Sequence, residues 1–152
     1  MSKYFDKTAK DFHTKLEYHE YLKHRLHELL SEKCKDLDFK MEYPLTESYG
    51  IDIVGLKRLL GKEIEIIAVE VLGIAEEGVL RGEDIGSGQM GKIMTDVSKL
   101  LLKSKAPVKV LVFSTKEVAD HMKKIRERNI RKGYASWSQV EFYEINEFVD
   151  KF

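Results

Sequence analysis

The chain has 152 residues, of which 43% are hydrophobic and 34% are charged, and its 26 basic and 26 acidic residues leave no formal net charge. This composition is typical of a folded globular protein and excludes an intrinsically disordered one, which combines few apolar residues with a high net charge. Proteins that bind nucleic acid are usually basic overall, so a neutral chain with that function would need a local basic patch.

The length is common for a single hydrophobic core, so we expect one domain over residues 1–152. The one cysteine, Cys34, excludes an internal disulfide and a cysteine-rich zinc site. The first residues lack the apolar core of a signal peptide, and no run of about 18 apolar residues suggests a membrane span. We therefore expect a cytoplasmic protein that does not contact a membrane.

The first two predicted elements are a helix and a strand. Residues 11–33 have the apolar spacing of an amphipathic helix. Its apolar arc consists of Phe12, Leu16, Leu22, Leu26, Leu29 and Leu30. On the other face, His24 and Glu28 are one turn apart, as two metal ligands could be, but without a third ligand nearby they are better interpreted as surface residues. Residues 36–44 alternate in polarity and end at Pro44, which predicts a half-buried strand.

A β-hairpin is predicted next, because residues 51–60 and 63–72 are rich in β-branched and aliphatic side chains and are separated by a glycine. A turn at Gly61 and Lys62 places Asp52 directly opposite Glu70. Two facing carboxylates repel unless a proton or a cation lies between them, and Mg²⁺ favours oxygen ligands. The pair therefore indicates a metal site. A register shifted by one residue would put Glu70 on the other face of the sheet.

Four further elements follow a glycine-rich and acidic loop over residues 73–88. A helix is predicted from an N-cap at Ser87 to about residue 104. Its apolar stripe is formed by Met90, Ile93, Met94, Val97, Leu100 and Leu101. Residues 108–114 form a continuous apolar run, typical of a central strand. A second amphipathic helix over residues 115–131 and a strand over residues 139–145 complete the chain.

The predicted order is therefore α-β-β-β-α-β-α-β, an α/β fold in which helices flank a mixed sheet and the first three strands form an antiparallel meander. The apolar faces of these elements predict which side chains are buried. They are Leu37, Phe39, Met41, Ile53, Ile66, Met94, Leu100, Val110 and Val112.

Three segments carry a resemblance to a known family. IDIVG presents Asp52, AVEV presents Glu70, and GQMGKIMTDVSKLL begins the next helix with Gln89. With this order of elements, they resemble the PD-(D/E)XK nuclease superfamily, whose fold is restriction-endonuclease-like. The resemblance covers most of the chain and implies that Asp52 and Glu70 are the family's two acids. It also implies a glutamate from the first helix, for which Glu20 is preferred over Glu17.

The chain departs from the family at one position. The family's lysine follows the second acid by two residues, where this chain has Leu72. That lysine orients the attacking water and stabilises charge on the phosphate. Lys92, in the following helix, is the candidate replacement, although it falls opposite the stripe that contains Met90 and Met94.

The resemblance implies a nuclease that hydrolyses phosphodiester bonds of nucleic acid, preferably DNA. Mg²⁺ (or Mn²⁺) would be held by Asp52, Glu70 and the carbonyl of Val71. The phosphate backbone would be bound by the basic face of the second long helix, unless that face is only solvated surface. Its residues are Lys123, Lys124, Arg126, Arg128, Arg131 and Lys132. Tyr134 and Trp137 beside it could stack on bases or belong to the core.

Two alternatives stay open. The chain could be a catalytically degenerate module that binds nucleic acid or a protein, which Leu72 and the neutral net charge favour. It could also act as a homodimer or as a subunit of a larger complex, with exposed apolar and aromatic residues as the interface.

Overall fold

The computed structural model describes residues 3–43, 50–73 and 87–152, with side chains from residue 90 onward in the last range. The helices within these ranges are α1 (Lys15–Lys33), α2 (Ser87–Lys103), α3 (Lys116–Arg131) and α4 (Ile145–Asp150). The strands are β1 (Asp38–Tyr43), β2 (Ile51–Leu59), β3 (Lys62–Leu72), β4 (Val108–Phe113) and β5 (Val140–Glu144). Short 3₁₀ helices cover Ala9–Asp11 and Ala135–Gln139.

The strands form one mixed sheet in the order β1-β2-β3-β4-β5. β1, β2 and β3 pair antiparallel, whereas β4 pairs parallel with both β3 and β5. Helices α2 and α3 pack on one face of the sheet, and α1 and α4 pack on the other. The predicted α/β class, with a mixed sheet flanked by helices, is confirmed.

Most predicted elements are present, and the differences have local causes. The predicted first helix is shorter, because Thr14 caps it by accepting a hydrogen bond from the backbone N–H of Glu17. Helix α4 was not predicted, since its six residues are too few for a helical period to be read. In the part of the chain that the structure describes, no helix has both the length and the apolar character to cross a bilayer.

The predicted position of the hairpin turn is wrong by one residue. The two turn residues are Leu60 and Gly61, with φ of 52° and 77°, as in a type I′ turn. This turn alone would pair Asp52 with residue 69. A β-bulge corrects the register, because Leu56 pairs with Glu65 whereas Gly55 pairs with Ile67.

The burial predictions are confirmed for five of the nine side chains, namely Phe39, Ile53, Leu100, Val110 and Val112. Three others, Leu37, Met41 and Ile66, are half-buried. The prediction for Met94 is wrong, since its side chain is 45% exposed. The buried face of α2 is centred on Ile93, Val97 and Leu100, and Met94 lies on one flank of that face.

Candidate functional site

Asp52 and Glu70 lie side by side in the sheet. The β2–β3 ladder pairs Ile53 with Val69, and continuing the same register brings Asp52 next to Glu70. The backbone N–H of Asp52 donates to Glu70 Oε2 at 3.4 Å, and the backbone N–H of Val71 donates to Asp52 Oδ2 at 2.8 Å. Both side chains are buried, and Glu70 is only 1% exposed. The bulge therefore brings the two predicted acids together.

The two carboxyl groups hold one negative charge more easily than two. Burial and the neighbouring charge of Asp52 raise the pKa of Glu70 well above its usual range. Burial would also raise the pKa of Asp52, but hydrogen bonds from His19 and from the Val71 backbone hold that pKa below its usual range. The two shifts have opposite directions, so Glu70 is the carboxyl group of the pair that binds a proton more tightly.

His19 joins the site from α1 and was missed in the sequence. Its Nε2 donates to Asp52 Oδ2 over 3.3 Å, and its Nδ1 lies 3.9 Å from Glu20 Oε1. The sequence offered one signal for His19, which directly precedes Glu20, the glutamate preferred for the site. His24, the histidine weighed as a metal ligand with Glu28, has its Nε2 3.3 Å from Glu20 Oε2.

Glu20, the residue predicted for the metal site, is held by a buried lysine. Lys23 is 2% exposed, and its Nζ contacts Glu20 Oε1 at 2.9 Å and Glu42 Oε1 at 2.7 Å. Burial would lower the pKa of Lys23, but these two carboxylates raise it. Glu20 thus reaches Asp52 only through His19. The alternative residue, Glu17, accepts a hydrogen bond from the backbone of His13 and is exposed.

Glu42 has an unusual backbone for a strand residue. Its φ of 52° lies in the left-handed region, which costs free energy for a residue with a side chain. Gly50 lies against it, since a Cβ at Gly50 would be 2.6 Å from the Glu42 carbonyl carbon. The strained conformation accompanies the contact of Glu42 with Lys23, so part of the fold is organised around this buried charge.

Helix α2 supplies two charged groups from the other face of the sheet. Lys99 Nζ lies 2.6 Å from Glu70 Oε1. Among the described residues this buried oxygen accepts no other hydrogen bond, so the ion pair is its polar contact. Burial would lower the pKa of Lys99, but Glu70 raises it. Asp96, one turn earlier, is also buried, and burial together with the charge of Asp52 raises its pKa to about 6.

Two further residues predicted for the site, Lys92 and Gln89, belong to α2. Lys92 is exposed and lies on the same side of the helix as Asp96 and Lys99, where its charge lowers the pKa of Asp96. The backbone of Gln89 belongs to α2, but its side chain lies outside the described residues. Leu72, at the position where the resemblance to the nuclease superfamily predicts a lysine, is fully buried in the core beneath α2.

Comparison of the chain with protein-family models, curated proteins and solved structures finds no match.

Among the residues with described side chains, no three histidine, cysteine or acidic groups converge as a metal cage. Mg²⁺ does not need such a cage, because it retains several waters and binds to proteins through one or two carboxylates. Asp52, Glu70 and the Val71 carbonyl are the hard oxygen donors that it favours. The donor set therefore fits one such ion, which would compete with Lys99 for Glu70.

The predicted basic face of α3 divides into two groups. Arg126 donates to the carbonyls of Val140 and Ser138, and Lys123 pairs with Glu147 at 3.1 Å, so both are structural residues. The others are exposed, and their side chains have no hydrogen bond or ion pair to any described residue. They are Lys124, Arg128, Arg131 and Lys132. Of the six predicted residues, these four are available to bind phosphates.

The two aromatic residues predicted to stack on bases differ in their exposure to solvent. Trp137 is 6% exposed and packs against Phe142 with ring centroids 6.0 Å apart, so it belongs to the core. Tyr134 is 55% exposed.

Asp96→Asn should stabilise the protein at high pH. Folding raises the pKa of Asp96 from 3.8 to about 6, so the folded state binds its proton more tightly and stability is lost as the pH rises through that interval. We expect the free energy of unfolding to increase by about 3 kcal/mol at pH 8 and by less than about 1 kcal/mol at pH 4. Urea unfolding at the two pH values measures this difference. The control Asp120→Asn, at an exposed position of α3, should change neither value.

Proposed function

We propose that the chain is a restriction-endonuclease-like, metal-dependent nuclease that hydrolyses phosphodiester bonds of nucleic acid, preferably DNA. The observation that carries this proposal is the buried pair of Asp52 and Glu70 on adjacent strands, with Lys99 beside it. Acids this close are costly to fold and are retained at functional sites. The strand order, with an antiparallel meander followed by two parallel strands, is compatible with the proposed fold.

Asp52, Glu70 and the carbonyl of Val71 would hold Mg²⁺ or Mn²⁺. When bound, the ion lowers the pKa of a coordinated water and neutralises charge on the phosphate. His19 fixes the orientation of Asp52 through its 3.3 Å hydrogen bond. Lys23 does the same for Glu20, which lies on the α1 side of the site. A rigid frame of this kind keeps the ligands in place before any ion arrives.

Lys99 takes the place of the family's missing lysine in this proposal. Its ammonium group lies at Glu70 and stems from the helix that follows the second acid. With a metal ion held at Glu70, the Lys99 ammonium would be available to a phosphate oxygen, where it would stabilise developing negative charge. Lys92 lies two turns earlier on the same side of α2, has no ion pair with either acid and plays no part in this step.

A second candidate is the degenerate binding module. The observation that favours it is the same Lys99–Glu70 contact, because an ammonium group that already neutralises Glu70 can replace a metal ion in a purely structural role. In that case the chain would bind nucleic acid without cleaving it. The predicted homodimer is independent of both candidates and stays a prediction.

Metal binding and cleavage together decide between the two candidates. We expect calorimetric titration with Mn²⁺ to show one binding event that weakens as the pH falls, since the ion must displace a proton from the acid pair. Plasmid DNA and labelled oligonucleotides should be cleaved in Mg²⁺ or Mn²⁺ and remain intact in EDTA. Absence of both Mn²⁺ binding and cleavage, with nucleic-acid binding retained, would instead establish the binding module.

A further inference from the structure

A groove lies on the flank of α2 opposite Asp96 and Lys99. Its volume is about 170 Å³, and it is lined by Met90, Met94, Arg128, Asn129, Tyr134 and Trp137. Met94 and Tyr134 leave much of their apolar surface exposed at its mouth, whereas Trp137 forms its inner wall. A cavity of about 150 Å³ can take up a benzene ring, so the groove has room for one aromatic ring.

Positive charge borders this groove on one side. Lys124, Arg128 and Arg131 recur at the spacing of one helical stripe, and Lys132 follows them at the end of α3. Arg128 itself lines the groove. These cations have no acidic partner among the described side chains, in contrast to Lys123 on the same helix. An anionic chain bound along the stripe would therefore gain contacts without breaking any ion pair.

We propose that this groove binds one unpaired base of a single-stranded nucleic acid, whose phosphates lie along Lys124, Arg128 and Arg131. The inference deepens the proposed function, on which it rests, by naming the form of the substrate. Tyr134 supplies the exposed ring on which the base stacks, and Met90 and Met94 contact the edge of the base. The side-chain amide of Asn129, half-buried at the groove, is positioned to meet polar groups of the base.

The chemistry of the groove selects a single strand over a duplex. A paired base has both faces covered by its neighbours, so it cannot enter a pocket one ring wide without being unstacked first. In a single strand every base offers a free π-face, and stacking on an aromatic side chain is tolerant of sequence. An anionic membrane would also attract these cations, but its headgroups offer no aromatic ring to stack on Tyr134.

Fluorescence anisotropy with a labelled oligothymidylate and a matched duplex tests the proposal. The measurement is made in EDTA at low salt, so that it reports binding without cleavage. We expect the single strand to bind at least about 5-fold more tightly than the duplex. Tyr134→Ala should weaken single-strand binding by roughly 5-fold to 100-fold, whereas Tyr134→Phe, which keeps the ring, should restore it.

Arg128→Ala should weaken binding and lower the slope of log affinity against log salt by about one, because one phosphate contact is lost. The control Lys57→Ala removes an exposed cation of β2 and should alter neither quantity. Equal binding of single strand and duplex, or no effect of Tyr134→Ala, would overturn the inference, as would tighter binding to anionic vesicles. Binding that depends on Tyr134 in a protein that never cleaves would support the groove and reject the nuclease.

Discussion

Asp52→Asn and Glu70→Gln should each lower metal-dependent cleavage by about 100-fold or more. Loss of a residue that only orients a metal ligand costs about 10-fold to 100-fold, so loss of a ligand itself should cost at least the upper value. Both changes preserve size and remove charge.

Initial rates with Mg²⁺ and with Mn²⁺ measure this loss, and circular dichroism confirms that the variants are folded. Cys34→Ala is the matched control, since Cys34 ends α1 and contacts none of the acids, and its rate should equal that of the unmodified protein. Cleavage that survives both changes would show that another site, or a contaminating enzyme, is responsible.

Lys99→Met should also lower cleavage by about 100-fold, whereas Lys92→Met should change it less than 3-fold. Methionine has nearly the length of lysine without its charge. Both lysines project from the same side of α2 two turns apart, but only Lys99 contacts an acid of the pair. The two variants therefore separate the loss of one specific ammonium group from a general loss of positive charge on the helix.

The pair of variants also has a readout besides rate. The charge of Lys99 lowers the pKa of Glu70, so in Lys99→Met the Glu70 carboxyl holds its proton more tightly. The affinity for Mn²⁺ should therefore fall more steeply with decreasing pH, from pH 8 downwards, than in the unmodified protein. An equal loss of cleavage in both variants would contradict the specific role of Lys99. A loss confined to Lys92→Met would instead support Lys92, the candidate from the sequence.

Periodicity alone was sufficient to predict the long helices and the strands. Their apolar faces are repeated often enough that a local error does not change the pattern. The short helix α4 and the bulge have no such repetition. The hairpin register at the site was reached with a turn misplaced by one residue, and the bulge between Gly55 and Leu56 compensates for that error.

The charged partners of the acids were harder to predict, because they come from elements far apart in the sequence. His19 and Lys23 lie on α1, for which the sequence predicted only Glu20 or Glu17 at the site. Lys99 lies seven residues after Lys92, so both have the same helical phase and only tertiary packing distinguishes them. A buried charge has no sequence signature of its own, since polar residues are normally exposed.

The bulge has a consequence for insertions and deletions. It divides the hairpin into a distal segment, which carries Leu60 and Gly61 at its tip, and a proximal segment, which carries the acids. One residue more or fewer at the tip can be absorbed where the ladder is already irregular, so length variation there should be tolerated without moving Asp52 relative to Glu70. Deleting Ile66 should also leave Asp52 opposite Glu70, because it removes the unpaired residue and joins the two segments in one regular ladder. A change of one residue between the tip and the acids therefore alters the bulge and leaves the acid pair in place.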